Sequence, residues 1–410
     1  MKKILFLTSH DLNARDYGPV LRGRNIAQTL SRHGDVRVIL GSRHANVLQN
    51  ARSSQAGFEL LQKIKFSPDW YSFSGRILAS LRPDFLDMEN YQAWPDDREK
   101  LKTLMANHDL VWVHGLETAN AFGIWRWPTS VLDVDDIPSS VYRLRLARAN
   151  SLLRKYSNLR QMILWRRNEE RLCRRFNAIC VCSEQDKKLL VGENVFVLPN
   201  GFELPAAAAP RHPSSPPQIG FVGTFIYWAN CEGVRWFIEK VWPLVLRQFP
   251  EARLRLAGQD GERLFKGPNV EALGWVRNME AEMANWSLAI VPLLAGGGTR
   301  IKILEAFSRK CPVVSTSVGC YGHDVQNERE LLIADEAKDF AARCLQLLEN
   351  PAEGDRLAQN AWVEFSKNLT WESQAGRIGE IIENVCGTRV PQNQTDAVST
   401  WKLIPKTIST

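Results

Sequence analysis

Short apolar runs alternate with helical stretches twice along this chain, once on each side of a proline-rich break. That doubled alternation restricts the fold more than any single motif does. The first series opens with an apolar run at 3–8, a loop at 9–19, a helical stretch at 20–32 stopped by Gly34, and a second apolar run at 36–40. Further runs follow at 110–113, 130–133, 178–182 and 195–198. Strand, crossover helix, strand is the mark of a parallel α/β sheet. Residues 204–217 (LPAAAAPRHPSSPP) then hold five prolines and little but small residues, which reads as a linker. A second series starts at 219–222, just before Gly223. It continues with strands at 253–257, 270–273, 288–291 and 312–316, and helices near 233–249, 278–285 and 299–309. The expected fold class is therefore α/β with two domains, at 1–203 and 218–388, joined by 204–217. Residues 389–410 lack helical periodicity and read as a loose tail.

The chain has 410 residues, a length that accommodates two such units. Its hydrophobic share of 44% supplies a sizeable core and excludes a mostly disordered or collagen-like chain. The charge sum, 52 − 45 = +7, permits contact with phosphorylated ligands, membranes or nucleic acid and requires none of them. The 8 cysteines show no CxxC pair and no zinc spacing, so a reducing compartment is expected. The N-terminal apolar run is too short for a signal peptide, and no stretch approaches the ~20 apolar residues of a membrane span. A cytoplasmic protein is expected, one that could still lie on a membrane surface.

Residues 296–312 (GGGTRIKILEAFSRKCP) are the most informative segment. Gly296, Gly297 and Gly298 precede Thr299, and a helix follows. Such a turn presents backbone N–H groups where the helix dipole favours an anion. Arg300 and Lys302 add two cations at an end where the dipole opposes them, a conflict that a diphosphate would relieve. Glu305 lies on the apolar stretch 301–307, where a carboxylate needs a partner. Sugar hydroxyls would serve.

In the first half, Gly18 follows the first strand and precedes a helix, where it would let backbone approach a ligand. His10 and His114 follow strand ends, and ligands gather at the carboxyl ends of strands in open α/β sheets. Asp133-Val134-Asp135-Asp136 looks like a D-x-D cation motif. The commoner explanation is that Asp136 caps a helix whose first turn holds Pro138. No metal is expected. Residues 143–175 carry eleven basic and two acidic residues, with Leu152, Tyr156, Leu159 and Ile163 spaced by four, three and four. This is a basic amphipathic helix, broken near Asn150, that could rest on an anionic membrane. A solvated surface helix is the alternative. Aromatics are too sparse there for nucleic-acid stacking, and no nucleic-acid partner is expected.

The glycine turn, the Leu304-Glu305-Ala306 stretch and Pro312-Val313-Val314 together resemble the donor motif of retaining glycosyltransferases of family 4, the glycosyl transferases group 1. Phe221-Val222-Gly223-Thr224 with Asn230, Leu198-Pro199-Asn200-Gly201, Val181-Cys182-Ser183 and Gly18-x-x-x-Arg22 extend the resemblance over about residues 3–385. It implies a GT-B architecture, two Rossmann-like α/β/α domains facing a cleft. The donor nucleotide-sugar would lie on the second domain, at Gly223, Thr224, Gly296, Gly297, Gly298, Thr299, Ile301 and Glu305. The base would rest near Trp275 and Val276. Arg300, Lys302 and His114 would be the catalytic groups. The acceptor, a glycan or lipid-linked glycan, would enter past His10, Gly18 and Arg22. No cofactor and no metal is implied, since the nucleotide-sugar is a substrate.

Two departures stand out. Many members carry a second Glu at the position of Gly297. Many also place Arg and Lys soon after the Phe-Val-Gly segment, where this chain has Thr224 and no Lys before Gly233. Three readings therefore stay open beside an active glycosyltransferase of bacterial polysaccharide or glycolipid synthesis: a catalytically impaired binding or regulatory protein of the same fold, another nucleotide-sugar enzyme on it, or a nucleic-acid binder using the basic helix.

Overall fold

Every residue of Ile4–Leu7 is fully buried, and the run alternates sides. Ile4 and Phe6 pack with Val36, Val38 and Trp112 on one face. Leu5 and Leu7 pack with Val111 and Val113 on the other. A strand buried on both faces needs a covered sheet, and parallel strands bring the covering helices with them. The computed structural model describes residues 1–14, 18–67, 91–205 and 211–387. Of the expected linker, 206–210 lie outside the described residues, as does the expected tail 389–410.

The first sheet holds β1 (Lys2–Thr8), β2 (Gly34–Ser42), β3 (Ser54–Gln55), β4 (Phe58–Lys65), β5 (Leu110–His114), β6 (Ser130–Val134), β7 (Ala178–Val181) and β8 (Val195–Val197). Their order is β3-β4-β2-β1-β5-β6-β7-β8. All neighbours are parallel except β3 and β4. The second sheet holds β9 (Gln218–Val222), β10 (Arg253–Ala257), β11 (Val270–Gly274), β12 (Leu288–Val291), β13 (Val313–Ser315) and β14 (Leu332–Ile333). Its order is β11-β10-β9-β12-β13-β14, parallel throughout. In both sheets the first strand in sequence lies inside, so the carboxyl ends of β1, β5, β9 and β12 open toward the space between the halves.

Three local features shape that space. The basic stretch forms two helices, Pro138–Ala147 and Leu152–Glu169, and a short one at Leu172–Arg175. The break is sealed by Ser151, whose hydroxyl accepts from the Arg154 N–H as an N-cap. The helix after β9 runs from Trp228 to Gln248 with a π-turn at Phe237–Val241. Pro243 just beyond it cannot donate to the ladder, and the wider turn absorbs that defect. The last helix, Trp371–Gly387, leaves the second sheet and packs on the first. Trp371, Ile378, Ile381, Ile382 and Val385 join the cluster of Ile4, Ile26 and Leu30.

Candidate active site

The segment between β12 and the helix Ile301–Ser308 is built around Arg300. Gly296 (φ +128°) and Gly298 (φ +63°) adopt backbone that side-chain-bearing residues avoid. This lets the turn fold over the Arg300 side chain, whose Nη1 donates to the Gly297 carbonyl. The Arg300 backbone N–H is held by His323 Nε2 at 3.1 Å. Arg300 is only 7% exposed, yet its Nε and Nη2 have no hydrogen-bond partner. Buried charged donors without acceptors are costly. Two donors of the Arg300 guanidinium are thus left without an acceptor beneath the glycine turn.

The other donor-side candidates gather around this point. Lys302 Nζ donates to Asn230 Oδ1 at 2.7 Å and sits 4.0 Å from the centre of the Phe221 ring. Burial, then the Arg300 charge, holds its ammonium well below the usual lysine range. Asn230 in turn donates to the Thr224 carbonyl at 2.7 Å. Gly223 leaves room for this, since a Cβ there would lie 2.9 Å from Lys302 Nζ. Glu305 is not waiting for an external partner as expected. Arg309, one turn on, pairs with it at 3.1 Å. Trp275 follows β11 half-exposed, and Val276 packs beside the cluster containing Ile303 and Leu304.

The first half contributes its strand ends. His114 closes β5 fully buried, with Nδ1 3.2 Å from Thr8 Oγ1. Burial, then His10 and Arg22, pushes its imidazole down to about 3. His10 lies 5.6 Å from it, ring to ring, and burial lowers it too. Burial favours the neutral form of both imidazoles, which suits hydrogen bonding rather than charge pairing. Gly18 begins its helix close to the second half. A Cβ on it would lie 3.8 Å from Ile301 Cδ1.

Arg22 corrects an expectation. It is fully buried and does not reach the cleft. Its guanidinium grips Asp133 at 2.6 Å, Asn200 Oδ1 at 2.9 Å and the Leu198 carbonyl at 3.0 Å, so it ties β6 to the segment after β8. Asp133 is thereby spent on Arg22. Asp136 is not the helix cap either. The cap is Ile137, in extended conformation, with Pro138 at the first position. Asp136 stays one residue outside, free to face the second half. Among the described residues no cluster of three His, Cys, Asp or Glu could hold a metal ion.

Several residues escaped sequence reasoning. Asn200 Nδ2 donates to Thr299 Oγ1 at 2.8 Å, across the halves. Tyr321 Oη donates to Asp186 Oδ1 at 3.1 Å, also across them. Arg148 pairs with Glu232 at 2.5 Å. The Tyr227 hydroxyl lies where a Cβ on Gly296 would approach to 2.9 Å. Asn200 stands in the Leu198-Pro199-Asn200-Gly201 stretch, which is a sequence signal; nothing local signals His323, Tyr227 or Asp186.

Residues 216–350 match the family model described as glycosyl transferases group 1. The matched part contains the glycine turn, Arg300, Lys302 and Glu305. A curated relative, an uncharacterized 44.6 kDa protein in the cps region of Klebsiella pneumoniae, is 25% identical over 240 residues. That match covers 53% of this chain and 59% of the relative, less than two thirds of its length. Sucrose-phosphate synthase from Thermosynechococcus elongatus superposes with a TM-score of 0.69 at 15% identity, over 94% of this chain and all of that one. HepE from Anabaena, solved in complex with UDP-glucose, gives 0.62 at 18% identity over 93% of this chain and 100% of its own. WaaG, a glycosyltransferase involved in lipopolysaccharide biosynthesis, gives 0.61 at 14% identity over 92% and 99%. At these identities the likeness concerns the fold, and the fold is GT-B: two Rossmann-like parallel sheets facing a cleft.

Proposed function

We propose that this chain is a glycosyltransferase that moves a sugar from a nucleoside-diphosphate donor to a glycan or lipid-linked acceptor, with retention at the anomeric carbon and without a metal ion. The observation that carries this reading is the buried Arg300 guanidinium with Nε and Nη2 unpartnered beneath the glycine turn. A diphosphate supplies oxygens of the right charge for both nitrogens. Its arrival would also favour the protonated form of Lys302. The match of 216–350 to glycosyl transferases group 1 and the GT-B fold support the same donor placement.

Breaking the bond between sugar and diphosphate builds negative charge on the leaving phosphate. Fixed cations and N–H groups already aimed at that charge lower the barrier. In this reading Arg300 and Lys302 do this work and Glu305 orients the ribose. The base lies over Trp275 and Val276, and neutral His114 donates to or accepts from the transferred sugar. The departing phosphate oxygen can take the acceptor's proton, so the step asks for no protein nucleophile. The acceptor enters past His10 and Gly18. The products would be bacterial surface polysaccharide or glycolipid, in line with the cps region of the Klebsiella relative.

The membrane surface enters through the helix Leu152–Glu169. Leu152 and Leu153 are each 83% exposed and Tyr156 69%, beside Arg154, Lys155 and Arg160. Apolar side chains among cations suit an anionic lipid surface, where a lipid-linked acceptor would lie.

Arg300→Ala tests the core of the reading. Turnover should fall about 10²-fold or more, as expected for losing one strong charge-stabilising donor. Wild-type turnover in that variant would end the phosphate assignment. Gly297, which brings no carboxylate, favours a second reading in which the chain binds donor without turning it over. Nucleotide-sugar binding with no product from any acceptor would select it.

A further inference from the structure

The glycine turn is crowded from the opposite half by one carboxylate. A Cβ on Gly298 would lie 2.3 Å from Asp136 Oδ1. One on Gly297 would lie 2.8 Å from Asp136 Cγ and 2.6 Å from Val141 Cγ2. The glycines at 297 and 298 are therefore what lets Asp136 stand over the turn. Asp136 is open to solvent although both halves wall it in. Among the described residues its carboxylate accepts no hydrogen bond and meets no cation at ion-pair distance. The groups that bear on it electrically are Asp135, Arg300, Asp186 and Glu117. Its enclosure between the two halves first, and Asp135 second, push its carboxyl up to about 7.

An accessible carboxylate with no protein partner, beside a buried guanidinium with two free donors, describes a site for one ligand with two chemistries. The free donors want phosphate oxygens. The carboxyl oxygens accept, and want hydroxyl donors. A sugar joined to a diphosphate has both, in adjacent groups. We propose that Asp136, reaching across the cleft from the first half, accepts hydrogen bonds from hydroxyls of the transferred sugar and so helps select it. This rests on the donor placement proposed above. It also answers the missing carboxylate at 297: the acceptor group is supplied by the facing domain, in the space a side chain at 297 would need.

The test compares matched probes by titration calorimetry: UDP with UDP-glucose, GDP with GDP-mannose, and dTDP with dTDP-glucose. In the wild type, at least one sugar-bearing member should bind more tightly than its diphosphate. Asp136→Asn should weaken that nucleotide-sugar about tenfold, the cost of one lost hydrogen bond to the sugar, while diphosphate affinity stays within about twofold. Asp136→Ser, read alongside by thermal unfolding, guards against a variant that fails to fold. Equal affinities for both members of every pair in the wild type overturn the assignment. So does a loss in Asp136→Asn that falls equally on diphosphate and nucleotide-sugar, or no loss at all. A wild type that binds no nucleotide fails earlier, and then the donor placement itself falls and takes Asp136 with it.

Discussion

Asn200 hydrogen-bonds in two directions at once: its Oδ1 accepts from Arg22 at 2.9 Å, and its Nδ2 donates to Thr299 Oγ1 at 2.8 Å. A buried pair under the first sheet is thus joined to the mouth of the glycine turn in the second. Asn200→Ala would leave one Arg22 N–H buried without an acceptor and free Thr299. Stability should fall by about 1–3 kcal/mol, and the Michaelis constant for donor should rise with it. Denaturant titration and steady-state kinetics read the two effects. Unchanged kinetics in a destabilised variant would confine Asn200 to the fold.

Arg22 and Asp133 form an ion pair that water does not reach. Removing one partner strands the other charge. Arg22→Ala or Asp133→Ala should each cost about 3–5 kcal/mol. Arg22→Met with Asp133→Leu should recover a large part of that, since neither charge is left alone. A double variant as unstable as the singles would contradict this account. Urea unfolding followed by tryptophan fluorescence is a suitable measurement.

His323 holds the Arg300 amide while burial, together with the nearby Arg300 charge, keeps the imidazole at about 4. In the unfolded chain it titrates near the ordinary histidine value. Between those two values the unfolded state binds the proton that the folded state refuses. Stability therefore falls as pH drops from about 6.5 toward about 4, by up to ~1.4 kcal/mol per pH unit for one such group. His114 acts in the same direction over a wider window. His323→Gln keeps an acceptor for the Arg300 amide and removes one titration. Its melting temperature should decline less steeply with acid than that of the wild type, and parallel curves would count against the assignment.

Leu152 and Leu153 project from a helix start that no described residue covers. Leu152→Asp with Leu153→Asp should leave the melting temperature nearly unchanged. Sedimentation with anionic vesicles should drop severalfold, while neutral vesicles bind neither protein. Equal binding of both proteins to anionic vesicles would remove the helix from the membrane.

The expected strands at 3–8, 36–40, 110–113, 130–133, 178–182, 195–198 and the second series all correspond to strands, most of them buried on both faces and so written as continuous apolar runs. β4 (FELLQKIK) was invisible for the opposite reason. It lies toward the sheet edge with charged residues at Glu59, Lys63 and Lys65, and its apolar residues follow no single period. The glycine turn and its two cations were legible because local sequence builds them. Arg22 was misjudged because a glycine-rich helix start looks the same whether the arginine four residues on points into the cleft or beneath it. Only Asp133, 111 residues away, decides. Asp136 belongs to the same class, since its neighbours Gly297 and Gly298 lie in the other half of the chain.

The last helix gives the synthesis of this protein an order. Trp371, Ile378, Ile381, Ile382 and Val385 cover the apolar face of the first sheet. That sheet is synthesised before the helix that covers it. Until then Ile4, Ile26 and Leu30 face water or a chaperone. The first sheet is therefore completed after the second, and truncation before Trp371 would expose the first sheet rather than the one nearest the cut.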